Sequence, residues 1–259
     1  PNMFNLIKIK NMKETIALID ADSLIYYEMS KPTLEEALQG IDSRINQMLE
    51  MTQATQYAGF LTAGKCFRYA AAKTKPYKGN RKYGDKPIIF PAIKEYLRQH
   101  WKFTSVPELE ADDLVSIYHD PLKTVICSPD KDVLYQNKGI HYNYGKAETV
   151  VMDETDSIHF LWKQMLMGDS TDGIQGIPKV GPKTAETWLE SLLSHEMPEF
   201  VLNKYIEKFG IHEGISKFAE TFKLIYILKT EEDALRETNI KLPELVVNSV
   251  NLLNNEQWQ

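Results

Sequence analysis

Cysteine is nearly absent from this 259-residue chain: only Cys66 and Cys127 occur. Two thiols that far apart make neither a disulfide framework nor a zinc site, and they point to a reducing compartment such as the cytoplasm. Long apolar runs are missing as well. No stretch approaches the roughly 18 residues a membrane span requires, and polar side chains interrupt residues 1–20 where a signal peptide needs an apolar core. Residues 1–12 read as a lead-in. No internal repeat or low-complexity segment is visible, which excludes solenoid and disordered classes. What remains is an ordinary globular composition, long enough for one large α/β domain or for such a domain with a helical annex.

The formal net charge is −6, which argues against a general nucleic-acid glue, but the average hides an asymmetry. Between Gly64 and Lys102 eight Lys and three Arg face only Asp85 and Glu95, a local +9 that leaves −15 for the rest. Such a segregated basic arm is an electrostatic footprint for phosphate, although charge runs are often only solvated surface.

Apolar periodicity places strands at 15–20 (TIALID), 57–62 (YAGFLT), 103–107 (FTSVP), 123–128 (KTVICS) and 148–153 (ETVVMD). It places helices at 33–51, at 92–100 (AIKEYLRQH) and at 108–119, the last approached through Pro107. From Asp156 onward the pattern is almost wholly helical. Strands alternating with helices predict an α/β fold with a mainly parallel central sheet flanked by helices. The expected division is an α/β core over 12–155, including a basic arch at 64–90, and a helical region over 156–259.

Carboxylates recur where apolar strands end or helices begin: Asp20 and Asp22, then Glu110, Asp112 and Asp113, then Asp130 and Asp132, then Asp169 and Asp172. In open α/β sheets, sites form in the crevice beyond the carboxyl ends of the strands, so these clusters could converge. Gathered anions repel one another and rise in pKa unless cations join them. Hard divalent ions such as Mg2+ or Mn2+ suit oxygen donors, and a pair of them makes a phosphodiester-cleaving site. Each cluster alone reads equally as a turn former or helix N-cap. On a regular helix Glu110 and Asp112 would stand about 200° apart, so both face one site only if the chain is still entering its helix there.

The motifs LIDADSLIY, PYKGNR, ELEADD, SPDKDVLYQ and GDSTDGIQGIPKVGPKTA, in this order and at these separations, resemble the flap-endonuclease/5'-nuclease family, with its free-standing bacteriophage exonucleases and the 5'-nuclease domain of bacterial DNA polymerase I. The resemblance covers roughly residues 15–195. It implies a PIN-like nuclease core with a helical arch, followed by a helix-hairpin-helix element at 173–190. It implies two divalent ions: Asp20, Glu110 and Asp112 would hold one, Asp130, Asp132, Asp169 and Asp172 the second, with Asp113 further out. Lys78 and Arg81 would polarise the scissile phosphate and Tyr77 would stack on DNA, with Lys75 and Lys82 in the same basic arm. Gly176, Lys179, Gly181, Lys183 and Thr184 would present backbone N–H groups, a bound K+ and a helix N-terminus to duplex phosphates.

Two departures from the family pattern stand out. The acid expected after the second strand is missing, its position falling on Thr62 or Leu61, and no acid occurs between Glu50 and Asp85. Asp22 is the candidate substitute. The first glycine of the hairpin is replaced by Lys179. The function implied is a structure-specific 5'-3' exonuclease or flap endonuclease acting as a monomer on 5' flaps, nicked or branched duplex DNA, or an RNA/DNA hybrid, in replication or repair. Three rivals stay open: a DNA-junction binder of this fold with lost catalysis, a PIN-like ribonuclease that would not need the hairpin, and a small-molecule phosphatase that leaves the basic arm unexplained.

Overall fold

The computed structural model describes residues 14–80, 87–242 and 251–252. These fall into two compact units. One takes the described residues within 1–66, 85–152 and 227–259, and the other those within 67–84 and 153–226. The basic segment from Phe67 thus groups with the helical unit, whereas it was expected within the sheet core. The physical ties are local: Glu220 accepts the Lys73 and Thr74 backbone N–H groups at 2.7 and 2.6 Å, and Arg68 donates to the Tyr226 carbonyl at 2.8 Å. The chain from Ile227 returns to the sheet unit instead of continuing the helical one.

The sheet unit is built on β1 (Ile16–Asp20), β2 (Gln56–Phe60), β3 (Thr124–Cys127), β4 (Gly139–Asn143), β5 (Glu148–Met152) and β8 (Asn251–Leu252), in the spatial order β5-β4-β3-β1-β2-β8. β1 pairs in parallel with β2 and β3, β3 in parallel with β4, and the two edge strands β5 and β8 run antiparallel. Central parallel strands are covered on both faces, which is why TIALI and TVIC are continuous apolar runs and not alternating ones. Ala17 and Ile19 of β1 and Val125 and Cys127 of β3 are essentially inaccessible to solvent. The same unit contains α1 (Asp22–Glu28), α2 (Leu34–Thr52), α4 (Ile89–Gln99), α5 (Ala111–Ile117), α6 (Lys131–Gln136) and α11 (Glu231–Thr238). α2 buries Ala37, Ile41, Ile45, Met48 and Leu49 at helical spacing, and Thr33 caps it by accepting the Glu36 N–H at 3.2 Å.

In the helical unit, the short α3 (Arg68–Ala71) joins α7 (Glu154–Met167), α8 (Pro182–Leu189), α9 (Met197–Phe209) and α10 (Ile211–Ile225). Trp162 of α7 stacks on Phe218 and Phe222 of α10, and the buried Tyr205 hydroxyl donates to the Met165 carbonyl at 2.6 Å. Between α7 and α8 the chain forms a two-stranded ladder of β6 (Gly168–Asp169) and β7 (Ile174–Gln175). There the backbones come so close that a Cβ on Gly176 would lie 2.3 Å from the Gly168 nitrogen. Among the described residues no helix is long and apolar enough to cross a membrane.

Two sequence expectations need correction. FTSVP forms only an isolated bridge between Thr104 and Phe60, too short to count as a strand. The helix expected from residue 108 starts at Ala111, because Glu110 retains extended backbone. β4, β6, β7 and β8 carry no pattern strong enough to be read in advance.

Candidate active site

The carboxyl end of β1 sets the geometry. Asp20 is the last residue of that central strand and is 2% exposed. Its Oδ2 accepts the Ser128 hydroxyl at 2.7 Å and its Oδ1 the Asp22 N–H at 3.3 Å, while the Tyr144 hydroxyl donates to its carbonyl at 2.8 Å. Burial, then the neighbouring Asp22 and Asp130 carboxylates, push the Asp20 carboxyl up to about 7, against which the Ser128 and Asp22 hydrogen bonds work only in part. A buried acid so placed lacks a countercharge.

The β3 end supplies the neighbour. Ser128, wholly buried, accepts the Asp130 N–H at 3.0 Å with the same oxygen that donates to Asp20, so one hydroxyl joins the two acidic segments. Asp130 is exposed and caps α6 by accepting the Asp132 N–H at 2.8 Å. Asp132 lies 3.5 Å from the Lys131 ammonium.

The third segment comes from α5. Glu110 is its N-cap at φ −89° and ψ 159°, outside the helical repeat. The expected 200° separation of Glu110 from Asp112 therefore does not apply. Asp113 is the acid expected further out from the ions. It is wholly buried, its Oδ2 accepts the Glu110 N–H at 3.2 Å and its Oδ1 the Leu228 N–H at 3.1 Å. The carboxylate anchors the helix start through these two bonds.

Thr62 occupies the place of the missing acid after β2. Its N–H donates to Asp22 Oδ1 at 3.0 Å, its hydroxyl accepts the Ala111 N–H at 3.0 Å, and its carbonyl receives the Lys94 ammonium. It therefore links Asp22 to the start of α5. Asp22, the candidate substitute, is thereby held in the same unit as Asp20, Glu110, Asp112, Asp130 and Asp132.

Among the described residues no three His, Cys, Asp or Glu side chains are gathered closely enough to ligate one ion directly. The donor set nevertheless suits a hydrated divalent ion: its oxygens are hard, and ions of this kind keep several waters and take one or two carboxylates together with substrate phosphate. The uncompensated charge on Asp20 is the observation that fits such an ion.

In the helical unit, Asp169 is buried and accepts the Thr171 N–H at 2.7 Å. Tyr77, expected to stack on DNA, is 5% exposed, packs edge-on against Tyr69 and donates its hydroxyl to Asp172 Oδ2 at 3.1 Å. Lys78, at φ +55°, donates its N–H to the Asp172 carbonyl at 2.8 Å, and its ammonium lies 3.8 Å from Asp172 Oδ2. Lys75 is exposed, while Arg81 and Lys82 lie outside the described residues. The turn before α8 exposes Lys179, at φ +69°, and Lys183, with Pro182 at the first helical position, Thr184 half-buried and Gly181 as N-cap. A Cβ on Gly181 would meet nothing within 4 Å. A cleft of about 650 Å³ adjoins this turn, with Lys75, Lys179 and Lys217 among its lining residues.

Ser128, Thr62, Tyr144 and Lys94 were not assigned roles in advance. Ser128 sits inside the quoted SPDKD motif, which is the signal that would have found it.

No family model matches the chain. Among curated proteins it is 28% identical over 162 residues to a 5'-3' exonuclease of Buchnera aphidicola, covering 55% of this chain and 51% of that one, so the match takes in about half of the relative. It is 25% identical over 187 residues to the flap endonuclease Xni of Shewanella halifaxensis, covering 65% and 74% respectively. In fold it is similar to the flap endonuclease of bacteriophage T5, solved in a complex with DNA and metal ions, with a TM-score of 0.70 at 14% identity over 91% of this chain and 98% of that one. Its sequence relatives are thus 5'-3' exonucleases and flap endonucleases, and its fold is similar to that of a flap endonuclease.

Proposed function

We propose that the protein is a divalent-metal-dependent 5'-nuclease that hydrolyses phosphodiesters near junctions of single-stranded and duplex DNA. The observation that carries this reading is the buried, uncompensated Asp20 with Asp22 and Asp130 beside it at the carboxyl ends of parallel strands. Asp20, Asp22, Glu110, Asp112, Asp130 and Asp132 would hold Mg2+, or Mn2+ in its place. When bound, such ions supply Lewis acidity to water and to the scissile phosphate. Ser128 holds Asp20 and Asp130 in register, and Thr62 holds Asp22 against the start of α5. Assignment of Asp169 and Asp172 to a second ion, and of K+ to the turn at 173–181, rests on the sequence resemblance.

Lys78 is proposed to leave Asp172 for a substrate phosphodiester, joined by Arg81, because its ion pair with one carboxylate at 3.8 Å is loose and a charge-assisted hydrogen bond to a phosphate oxygen can replace it. The exposed Lys75, Lys179 and Lys183 would grip DNA backbone, a contact that weakens steeply with salt. The open space at Gly181 leaves room for a phosphate at the start of α8. RNA/DNA hybrids and action as a monomer belong to the same proposal.

A second reading, a junction binder without turnover, is favoured by Thr62. The residue after β2 brings no carboxylate, and its polar groups are already engaged. Flap, nicked and single-stranded DNA incubated with the full chain across a Mg2+ and Mn2+ series separate the two. Metal-dependent cleavage near the flap junction, abolished by EDTA, is expected. Salt-sensitive flap binding with no cleavage at any metal concentration would establish the binder instead.

A further inference from the structure

The residues after the helical unit carry no sequence motif, yet the first three of them touch both acid-bearing helices of the sheet unit. The Ile227 N–H donates to the Gln136 side-chain carbonyl at 3.1 Å, at the last residue of α6. The Leu228 N–H donates to Asp113 Oδ1, and the other Asp113 oxygen holds the Glu110 N–H. The Lys229 ammonium donates to the Gln136 carbonyl and, at 2.9 Å, to Asn137 Oδ1. Asn137 is a knot in its own right. Its Oδ1 also accepts the Ser116 hydroxyl of α5 at 2.7 Å, and its Nδ2 donates to the Val133 carbonyl of α6 at 2.8 Å. Ile227 and Leu228 are buried.

We propose that Ile227, Leu228 and Lys229 form a positioning strap that fixes the spacing between the Glu110–Asp112 start of α5 and the Asp130–Asp132 start of α6. The lever arms are short. On α5 the strap acts through Asp113 directly on Glu110, and on α6 it grips the far end of a six-residue helix, about 9 Å from Asp130. Helices this short do not hold their place by propensity, so tertiary ties set their position. Lys229 is the part of the strap that apolar packing cannot replace. A buried ammonium stays in place only where acceptors meet it, and here two acceptors come from the end of α6. The inference rests on the metal-dependent reading above and extends it to residues that never meet the ion.

The test combines a variant with an observation on the unaltered protein. Lys229→Met keeps the side-chain stem and removes both bonds. Loss of groups that orient metal-holding residues typically weakens metal binding 10- to 100-fold. Calorimetric Mn2+ titration of the Lys229→Met chain is expected to show a loss in that range, with flap affinity in EDTA unchanged. Lys229→Arg, which retains donors, is expected to recover part of it. In the wild-type chain, Mn2+ is expected to slow hydrogen exchange at the Ile227 and Leu228 amides, because coupling between sites is reciprocal. The exchange measurement decides the matter even if Lys229→Met fails to fold. Mn2+ affinity that is unchanged in a folded variant, or strap amides indifferent to Mn2+ in a wild type that binds it, would overturn the strap. A wild type that neither binds Mn2+ nor cleaves would instead overturn the nuclease reading.

Discussion

Replacing Asp20 by Asn should stabilise the protein while destroying its activity. Burial and the adjacent Asp22 and Asp130 raise the Asp20 carboxyl from 3.8 to about 7 in the fold. Because the folded-state pKa is the higher one, the protonated carboxyl favours the fold below about pH 3.8, and this contribution is lost as pH rises through about 7. At pH 8.5 keeping the group ionised in the fold costs about 4 kcal/mol, and at pH 5, where folding protonates it, that proton uptake costs about 2 kcal/mol. Asparagine carries no charge. It still accepts one hydrogen bond with its single oxygen, and loss of the other acceptor costs about 1 kcal/mol. A net gain of about 3 kcal/mol at pH 8.5, shrinking to about 1 kcal/mol at pH 5, is therefore expected from the difference of these figures. Urea unfolding of both chains in EDTA at the two pH values measures it, with the slope of each transition checked to be unchanged. Added Mn2+ should close the gap by stabilising the wild type alone. An Asn variant less stable than the wild type at pH 8.5, or a difference that ignores pH, would refute the claim that Asp20 is an uncompensated buried acid.

Acid should act on two further groups, the half-buried His119 and the buried His141. Burial lowers His119 to about 4 and His141 to about 3, so the unfolded chain takes up protons first, and stability falls as pH drops from about 6.5 towards 4. In the Asp20→Asn background, which removes the opposing trend, the loss should be on the order of 3 kcal/mol for each histidine by pH 4. A flat pH profile there would contradict it. Two glycines should part company. Gly176→Ala drives a Cβ to 2.2 Å from the Met167 backbone and should cost about 1–3 kcal/mol in thermal unfolding. Gly181→Ala meets open space and should change stability by less than about 0.5 kcal/mol, so any loss of flap affinity in a gel-shift assay would report a lost phosphate approach. Equal thermal effects would contradict this account of the turn.

The central sheet was legible because buried parallel strands leave continuous apolar runs, and TIALID and KTVICS fall within a residue of β1 and β3. β4 was not legible: GIHYN mixes a glycine, a histidine and an asparagine, and it is a strand because β3 and β5 pair with it on either side. The acids were found by position in sequence, but sequence could not show which were already engaged. Asp113 differs from Asp112 by one residue, yet it faces inward to two backbone amides. The family resemblance implied that Tyr77 stacks on DNA, but sequence could not show that its hydroxyl reaches Asp172 across 95 residues. The ties made by Thr62 and Ser128 depend equally on contacts distant in sequence: Ser128 reaches Asp20 across 108 residues.

The most direct test of the metal-dependent 5'-nuclease is single-turnover cleavage of a 5'-labelled flap by the wild-type chain and by Asp130→Ala, with Mn2+ as the varied component. The account predicts cleavage at the junction that rises with Mn2+ in the wild type and disappears in the variant, while both bind the flap equally in EDTA. Equal cleavage by the two proteins, or cleavage that persists in EDTA, would contradict it.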